Sequence, residues 1–159
     1  GVELEDVVGR LLTENRKTIA TAESCTGGLI GDRLTNISGS SLYYKGGIVA
    51  YSNSVKEKTI GVKKETLDSA GSVSEDTALE MARGIRNKLN ADIGLSTTGI
   101  AGPKGGTKEK PVGLVYIAIS YDSGEKVYRF TFTPHRKTNK LMTSQAALNI
   151  TRIHILNGL

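Results

Sequence analysis

The sequence predicts an α/β protein, a single three-layer α/β/α domain with a mixed sheet over residues 1–159. The 159 residues are enough for one domain with a real core and leave little room for a second. Nineteen glycines, 5% aromatic residues and no tryptophan are typical of a protein with many tight strand–helix turns. Helical and strand patterns alternate early in the chain and a hairpin signal comes late, which predicts both parallel and antiparallel strands.

The first half of the chain reads as alternating helices and strands. Apolar residues at helical spacing, from Leu4 to Leu12, predict an amphipathic first helix. Ser52 or Asn53 can cap the third helix. The predicted elements are a helix over 2–15, a strand over 18–22, a helix from about 28 to 34, a strand over 42–51 and a helix over 54–60.

The second half begins at a helix that Ser74 is expected to cap, with Glu75 and Asp76 favourable in its first turn. Residues 122–124, Asp-Ser-Gly, predict a hairpin. Gly158 is expected to end the last helix. The remaining predictions are a strand over 92–98, a loop over 99–111, strands over 112–121 and 126–133, and a helix over 137–157 with Met142, Ala146, Ile150 and Ile153 on one face.

The charge balance favours some partners over others. Lysine and arginine total 21 and aspartate and glutamate 16, which gives a net charge of +5 that suits an anionic small molecule. We do not expect a nucleic-acid partner, because acidic residues interrupt the basic ones and aromatic residues that could stack on bases are few.

Other compositional features exclude whole classes of protein. No apolar stretch approaches the roughly 20 residues of a membrane helix, and the first residues lack the features of a signal peptide. The single cysteine, Cys25, can form neither an intramolecular disulfide nor a Cys-x-x-Cys zinc site. We therefore expect a cytoplasmic protein with no membrane association, no metal and no cofactor.

The first candidate cluster is the small polar turn Glu23-Ser24-Cys25-Thr26-Gly27-Gly28, between a strand and a helix. Such a turn can hold a phosphate or an oxyanion with its backbone N–H groups, or it can simply cap the helix. A nucleophilic cysteine is less expected here than a small buried thiol.

The second cluster is Ser40-Ser41, Tyr51-Ser52 and Lys56. A serine can attack a carbonyl, a desolvated neutral lysine can accept its proton, and a tyrosine can relay or orient that proton. For this role the pKa of Lys56 has to fall by roughly 2–3 units from ~10.4. The alternative is an ordinary surface lysine.

The third cluster is Thr97-Thr98-Gly99 and the glycine-rich loop that follows it. It comes directly after a predicted strand, where open α/β sheets gather their functional residues. Lys104, Lys108 or Lys110 could neutralise a phosphate, although a flexible surface loop would look similar. Neither His135 nor His154 is expected to be catalytic.

Six motifs together extend the interpretation beyond single residues. The chain resembles the C-terminal domain of the CinA family, which also occurs as stand-alone nicotinamide mononucleotide deamidases, over roughly residues 3–157. The motifs that carry the resemblance are, in order, Ala22-Glu23-Ser24-Cys25-Thr26-Gly27-Gly28, Gly39-Ser40-Ser41, residues 46–53, Val73-Ser74-Glu75, residues 98–103 and residues 105–113.

The resemblance implies an amidohydrolase that converts nicotinamide mononucleotide and water to nicotinate mononucleotide and ammonia, in a domain that is usually dimeric or larger. The family's serine, tyrosine and lysine carry over to Ser41, Tyr51 and Lys56, with Ser24 as the alternative nucleophile. The resemblance implies that substrate is bound by Ser24, Thr26, Gly27, Thr98, Gly99 and Arg136.

One departure from the family pattern bears on substrate preference. Relatives commonly read Gly-Asp-Arg before the last helix, where this chain has Pro134-His135-Arg136.

The alternative function is a non-catalytic nucleotide-binding or regulatory module of the same fold.

Overall fold

The computed structural model describes residues 2–159, so Gly1, with which the predicted domain begins, lies outside the described residues. A turn of 3-10 helix, Ser40–Leu42, precedes the second strand. The helices and strands are, in chain order, α1 (Leu4–Glu14), β1 (Ile19–Glu23), α2 (Leu29–Thr35), β2 (Tyr44–Val49), α3 (Asn53–Lys58), α4 (Lys64–Ala70), α5 (Glu75–Lys88), β3 (Ile93–Gly99), β4 (Leu114–Tyr121), β5 (Gly124–Thr131) and α6 (Arg136–Leu156).

The five strands form one mixed sheet in the order β2-β1-β3-β4-β5. β1 pairs in parallel with both β2 and β3, whereas β3–β4 and β4–β5 are antiparallel. The predicted α/β fold with a mixed sheet is therefore confirmed, as is the hairpin at residues 122–124. The parallel pairing places the carboxyl ends of β1, β2 and β3 at the same edge of the sheet.

Apolar side chains fill both faces of the sheet. On one face α1, α2 and α6 cover a core that includes Leu12, Ile30 and Ile93. On the other face α5 packs against small side chains, and a Cβ on Gly94 would lie 2.1 Å from the carbonyl oxygen of Ala82. This close packing of a helix on the sheet backbone explains how a chain poor in aromatic residues builds a core.

The sequence did not predict α4, and the structure shows why. The helix is only 7 residues long, and none of its residues is buried, so it carries no apolar periodicity. Its first turn is held by a residue from another element: Glu80 of α5 accepts hydrogen bonds from the Lys63 N–H at 2.8 Å and the Thr66 hydroxyl at 2.6 Å. A helix capped from elsewhere in the fold leaves no local signal.

The apolar face predicted for α6 is right for two of its four residues: Ile150 is buried and Ala146 packs against the core, whereas Met142 and Ile153 do not. Met142 and Ile153 are 42% and 38% exposed, and the buried face also carries several hydroxyl side chains. Thr143 and Thr151 donate to the carbonyl oxygens of the residues four positions earlier, at 2.7 and 2.9 Å. Because these hydroxyls are satisfied inside the helix, they pack in the core like small apolar side chains.

Two helix caps predicted from sequence are confirmed. The Ser52 hydroxyl accepts from the N–H of Val55 at 3.2 Å, and the Ser74 hydroxyl accepts from the N–H of Thr77 at 3.1 Å. Among the helices of residues 2–159, none has the length and apolar character needed to cross a membrane.

Candidate active site

A cavity of about 260 Å³ lies where β1 and β3 end. Its walls come from the turn after β1, the start of α3, the link between α4 and α5, the loop after β3, and the first residue of α6. The lining residues are Ser24, Cys25, Tyr51, Lys56, Ser72, Val73, Thr98, Gly99, Ile100, Ala101, Lys104, Gly105 and Arg136.

The turn after β1 is organised by Glu23, whose side chain is buried. Its carboxylate accepts from the Thr26 hydroxyl at 2.6 Å and from the backbone N–H groups of Ile30 and Gly31 at 2.9 and 3.0 Å. Glu23 thereby satisfies N–H groups of the first turn of α2 that have no partner within the helix. The backbone reverses through Gly27 and Gly28, which have φ values of 60° and 101°.

Ser24 is the first residue of this turn, and the sheet holds its backbone. Its N–H donates to the carbonyl oxygen of Thr97 on β3 at 3.0 Å, which extends the pairing of β1 by one residue. The Ser24 side chain is directed toward the cavity, where its hydroxyl lies 3.0 Å from the ammonium nitrogen of Lys56.

Lys56 is a buried lysine, with 1% of its surface exposed. It reaches the cavity from α3, and its Nζ donates to the carbonyl oxygens of Ala50 at 2.8 Å and Tyr51 at 2.9 Å. Burial lowers the pKa of Lys56 to about 8, because the charged form loses hydration that no carboxylate replaces. The amine is therefore easily deprotonated near neutral pH.

The three partners of Lys56 suit both the ammonium, which donates to all three, and the neutral amine. A neutral amine has two N–H donors and one lone pair, so it can donate to Ala50 and Tyr51 and accept the proton of the Ser24 hydroxyl. A hydroxyl hydrogen-bonded to a neutral base is the arrangement of an activated nucleophile. Ser24 and Lys56 thus form a pair capable of nucleophilic attack.

Tyr51 contributes its carbonyl oxygen to Lys56 and its side chain to the cavity wall. The residue is 62% exposed, which places the phenol ring at the mouth of the cavity rather than in its interior. Thr98 also lines the cavity, and its hydroxyl donates to the carbonyl oxygen of Ser72 at 2.6 Å. Thr98 therefore anchors the link between α4 and α5 against the end of β3.

The cavity has a positive electrostatic character. Lys104, from the loop after β3, and Arg136, at the start of α6, line it together with Lys56, and its lining contains no aspartate or glutamate. Lys110 is used differently, since its Nζ donates to the carbonyl oxygen of Ala70 and ties the loop to the end of α4. A positive cavity with no carboxylate favours an anionic ligand.

The structure does not bring Ser41 to this cavity. Ser41 is exposed and lies before β2, whereas Lys56 sits beyond the carboxyl end of that strand. The 6 residues of β2 separate the two ends by roughly 20 Å. Of the two serines weighed from sequence, Ser24 is the one that contacts Lys56.

Thr26 and Gly27 also lie outside the cavity. The Thr26 hydroxyl is buried between Glu23 and Thr97, at 2.6 and 2.8 Å. Both residues border a neighbouring cavity of about 470 Å³, which includes Lys137 and Lys140. Gly99 and Arg136, by contrast, are placed at the first cavity as the sequence suggested.

The remaining candidates do not supply a nucleophile or a base. Burial raises the pKa of the Cys25 thiol to about 12, so the thiolate is scarce at neutral pH. His154 lies between the hydroxyls of Tyr121 and Tyr128, each 2.8 Å from a ring nitrogen, and His135 precedes α6 as its N-cap residue. Within residues 2–159, no group of three or more His, Cys, Asp and Glu side chains is arranged to hold a metal ion.

Sequence reasoning missed Glu23 as a structural residue and left Lys104 undistinguished from two other lysines. The signal for Glu23 was available, because a carboxylate at the end of an apolar strand directly precedes a glycine turn and a helix. The choice among Lys104, Lys108 and Lys110 depends on the path of the loop, for which the sequence carries no local pattern.

Comparison with known proteins identifies relatives along nearly the whole chain. The family model of the CinA C-terminal domain matches residues 2–155. A competence-damage inducible protein of Halothermothrix orenii is 57% identical over 145 residues, which are 91% of this chain and 35% of that protein. A CinA-like protein of Sulfurihydrogenibium sp. is 47% identical over 157 residues, or 99% of this chain and 39% of that protein. The chain thus spans little more than a third of these curated relatives.

Solved structures share the architecture over nearly their full length. The competence/damage inducible protein CihA from Agrobacterium tumefaciens is 39% identical with a TM-score of 0.90, and the match covers 98% of this chain and 96% of that one. Competence damage-inducible protein A from Klebsiella pneumoniae is 30% identical with a TM-score of 0.94, over 98% and 97% of the two chains.

Proposed function

The chain belongs to the CinA C-terminal domain family, and from that premise and the geometry of the cavity we propose that it hydrolyses the carboxamide of nicotinamide mononucleotide. The products are nicotinate mononucleotide and ammonia. The observation that carries the proposal is the 3.0 Å contact between the Ser24 hydroxyl and the buried Lys56 amine in a cavity without carboxylates. The choice of nucleotide rests on the resemblance to the family's deamidases.

The reaction begins with attack by Ser24 on the carboxamide carbon. The neutral Lys56 amine takes the hydroxyl proton as the new C–O bond forms, which gives a tetrahedral oxyanion and a Lys56 ammonium. The ammonium then returns this proton to the departing nitrogen, the C–N bond breaks, and ammonia leaves. An ester between Ser24 and the nicotinoyl group remains.

A water molecule completes the reaction. Lys56 removes a proton from the water as its oxygen attacks the ester carbonyl, and the proton passes to the Ser24 oxygen when the C–O bond to the enzyme breaks. The net change is one amide and one water converted to one carboxylic acid and one ammonia, with Ser24 and Lys56 restored.

The oxyanion requires hydrogen-bond donors, and Gly99 is positioned to supply one. Backbone N–H groups of β3 alternate between neighbours, since Ile93 donates to the residue before β1 and Ile100 donates to β4. By this alternation the Gly99 N–H faces the β1 side, where β1 has already ended. We assign the Gly99 N–H as an oxyanion donor. Removal of one such donor from an enzyme typically costs about 3 kcal/mol of transition-state stabilisation.

Lys104 and Arg136 are suited to the phosphate of the substrate. Both line the cavity that holds Ser24, and a phosphate monoester between them would gain charge-assisted hydrogen bonds. Tyr51 at the mouth offers a ring against which the ribose or pyridine can pack. The phosphate of the proposed substrate thus matches the positive charges of Lys104 and Arg136, and its carboxamide matches the Ser24–Lys56 pair.

The test is ammonia release from nicotinamide mononucleotide, with identification of the acid product, by the wild type, Lys56→Ala and Lys58→Ala. Lys58 is an exposed lysine on the same helix that does not line the cavity. We expect activity in the wild type and Lys58→Ala and its loss in Lys56→Ala. Saturable binding of the nucleotide without any turnover in the wild type would instead support a regulatory nucleotide-binding module.

A further inference from the structure

The product of the proposed reaction has a chemical property that its substrate lacks. The amide is neutral at the reacting group, whereas the acid product loses a proton near neutral pH, because ordinary carboxyl groups have pKa values of about 4. The reacting end of the cavity therefore meets a neutral group before turnover and a carboxylate after it.

The geometry places this carboxylate against Lys56. The water that Lys56 deprotonates supplies one of the two product oxygens, so that oxygen forms within hydrogen-bond distance of Nζ. When the new acid ionises, Lys56 is the nearest base, and its buried amine has only two carbonyls and the Ser24 hydroxyl as partners. A buried ammonium without a counter-ion is unfavourable, and a carboxylate beside it removes that cost.

We propose that nicotinate mononucleotide binds this site as an ion pair with protonated Lys56, so that the enzyme is inhibited by its own product and takes up a proton when the product rebinds. This inference rests on the proposed function. The protonation that stops Lys56 from acting as a base also makes it the counter-ion of the product, so catalysis and inhibition respond to pH in opposite directions.

Among the ionisable groups around the cavity, Lys56 is the one that we expect to take up a proton when the product carboxylate binds. Glu23 is engaged by Thr26 and the start of α2, and Cys25 stays protonated because burial raises the pKa of its thiol to about 12. Tyr51, Lys104 and Arg136 also line the cavity. We expect them to contact the parts of the nucleotide that substrate and product share. Variants of these residues separate their effects from that of Lys56.

Titration calorimetry at pH 9, in two buffers with different ionisation enthalpies, measures the proton uptake directly. A Lys56 pKa of about 8 leaves roughly nine sites in ten neutral at this pH. We expect the wild type to take up close to one proton per nicotinate mononucleotide bound, and its affinity for this product to fall about tenfold per pH unit above pH 8. Ser24→Ala, which cannot turn over the amide, should bind nicotinamide mononucleotide without proton uptake.

Matched variants identify the group that is protonated. Tyr51→Phe and Lys104→Ala should retain the proton uptake, although Lys104→Ala weakens both nucleotides, and Lys56→Gln should abolish it. If Lys56→Gln does not fold, the product inhibition constant is measured against pH instead. Product affinity should weaken above the Lys56 pKa of about 8 in the wild type and equally in Tyr51→Phe and Lys104→Ala. Wild-type turnover combined with product binding that shows no proton uptake would overturn the ion pair and leave the proposed function standing. Failure of both nucleotides to bind would overturn both.

Discussion

At the scale of single residues, the proposed chemistry depends on the environment of Lys56. The carbonyl oxygens of Ala50 and Tyr51 fix the amine in place, and burial lowers its pKa to about 8. A lysine with this pKa holds a usable fraction of neutral amine at neutral pH, whereas an exposed lysine does not. When the amine is neutral, donation to these two carbonyls leaves its lone pair free to accept from the Ser24 hydroxyl.

The lowered pKa predicts the pH dependence of the reaction. Because the neutral amine is the active form, kcat/KM should rise about tenfold per pH unit below pH 8 and level off above it. A pH–rate profile of the wild type from pH 6 to 9.5 measures this directly. A rate that stays flat across this range, or that falls as pH rises, would show that Lys56 is not the base.

The residue scale also shows what the sequence could and could not predict. Tyr51, Lys56, Gly99 and Arg136 were singled out from sequence, and the structure places all four at the cavity. The choice between Ser24 and Ser41 stayed open because both lie in small polar segments beside glycines. Position relative to the strands separates them, since Ser24 follows β1 and Ser41 precedes β2, and α/β sheets bind ligands at the carboxyl ends of their strands.

At the scale of elements, the turn that carries Ser24 depends on Glu23. This buried carboxylate joins the end of β1 to the start of α2 through three hydrogen bonds. The position of Ser24 is therefore coupled to the capping of a short helix.

Glu23→Ala should lower both stability and activity. The change leaves the buried N–H of Ile30 and the partly buried N–H of Gly31 without an acceptor, which costs about 2–3 kcal/mol of unfolding free energy. A displaced turn should lower kcat by about 10–100-fold. Chemical denaturation and steady-state kinetics measure the two effects, with Glu65→Ala as the control because Glu65 is exposed on α4. Wild-type stability in Glu23→Ala would contradict the capping role.

Prediction of the elements succeeded where the signal is local and failed where it is tertiary. The caps at Ser52 and Ser74 and the hairpin at 122–124 depend on neighbouring residues, and the structure contains all three. α4 depends on Glu80 from another helix, and the buried face of α6 depends on hydroxyls satisfied within the helix. Hydrophobic periodicity cannot detect either arrangement.

At the scale of the whole molecule, the fold assembles one positive cavity from distant parts of the chain. Parallel pairing of β1 with β3 brings Ser24 to Gly99, and the loop after β3 and the start of α6 add Lys104 and Arg136. The net charge of +5 did not indicate where the positive residues would gather. The composition and the order of elements predicted the fold class, but the convergence of these segments required the structure.

The positive end of the cavity predicts selectivity for a phosphorylated substrate. Lys104→Ala and Arg136→Ala should each lower kcat/KM for nicotinamide mononucleotide about 10–100-fold, because each removes a charge-assisted hydrogen bond. For nicotinamide riboside, which has no phosphate, we expect a much lower kcat/KM that neither substitution changes. Lys108→Ala serves as the control, since Lys108 is exposed on the same loop and does not line the cavity. Equal losses on both substrates would argue against a phosphate contact.

The most direct test of the account compares two serines in one assay. Ser24→Ala and Ser41→Ala remove the same hydroxyl oxygen at two places in the fold. Ser24 follows the carboxyl end of β1 and contacts Lys56, whereas Ser41 precedes β2 and does not. We predict that Ser24→Ala reduces ammonia release from nicotinamide mononucleotide by about 10³-fold or more, and that Ser41→Ala retains activity within about twofold of the wild type. Loss of activity in Ser41→Ala with retention in Ser24→Ala would contradict the assignment of the site.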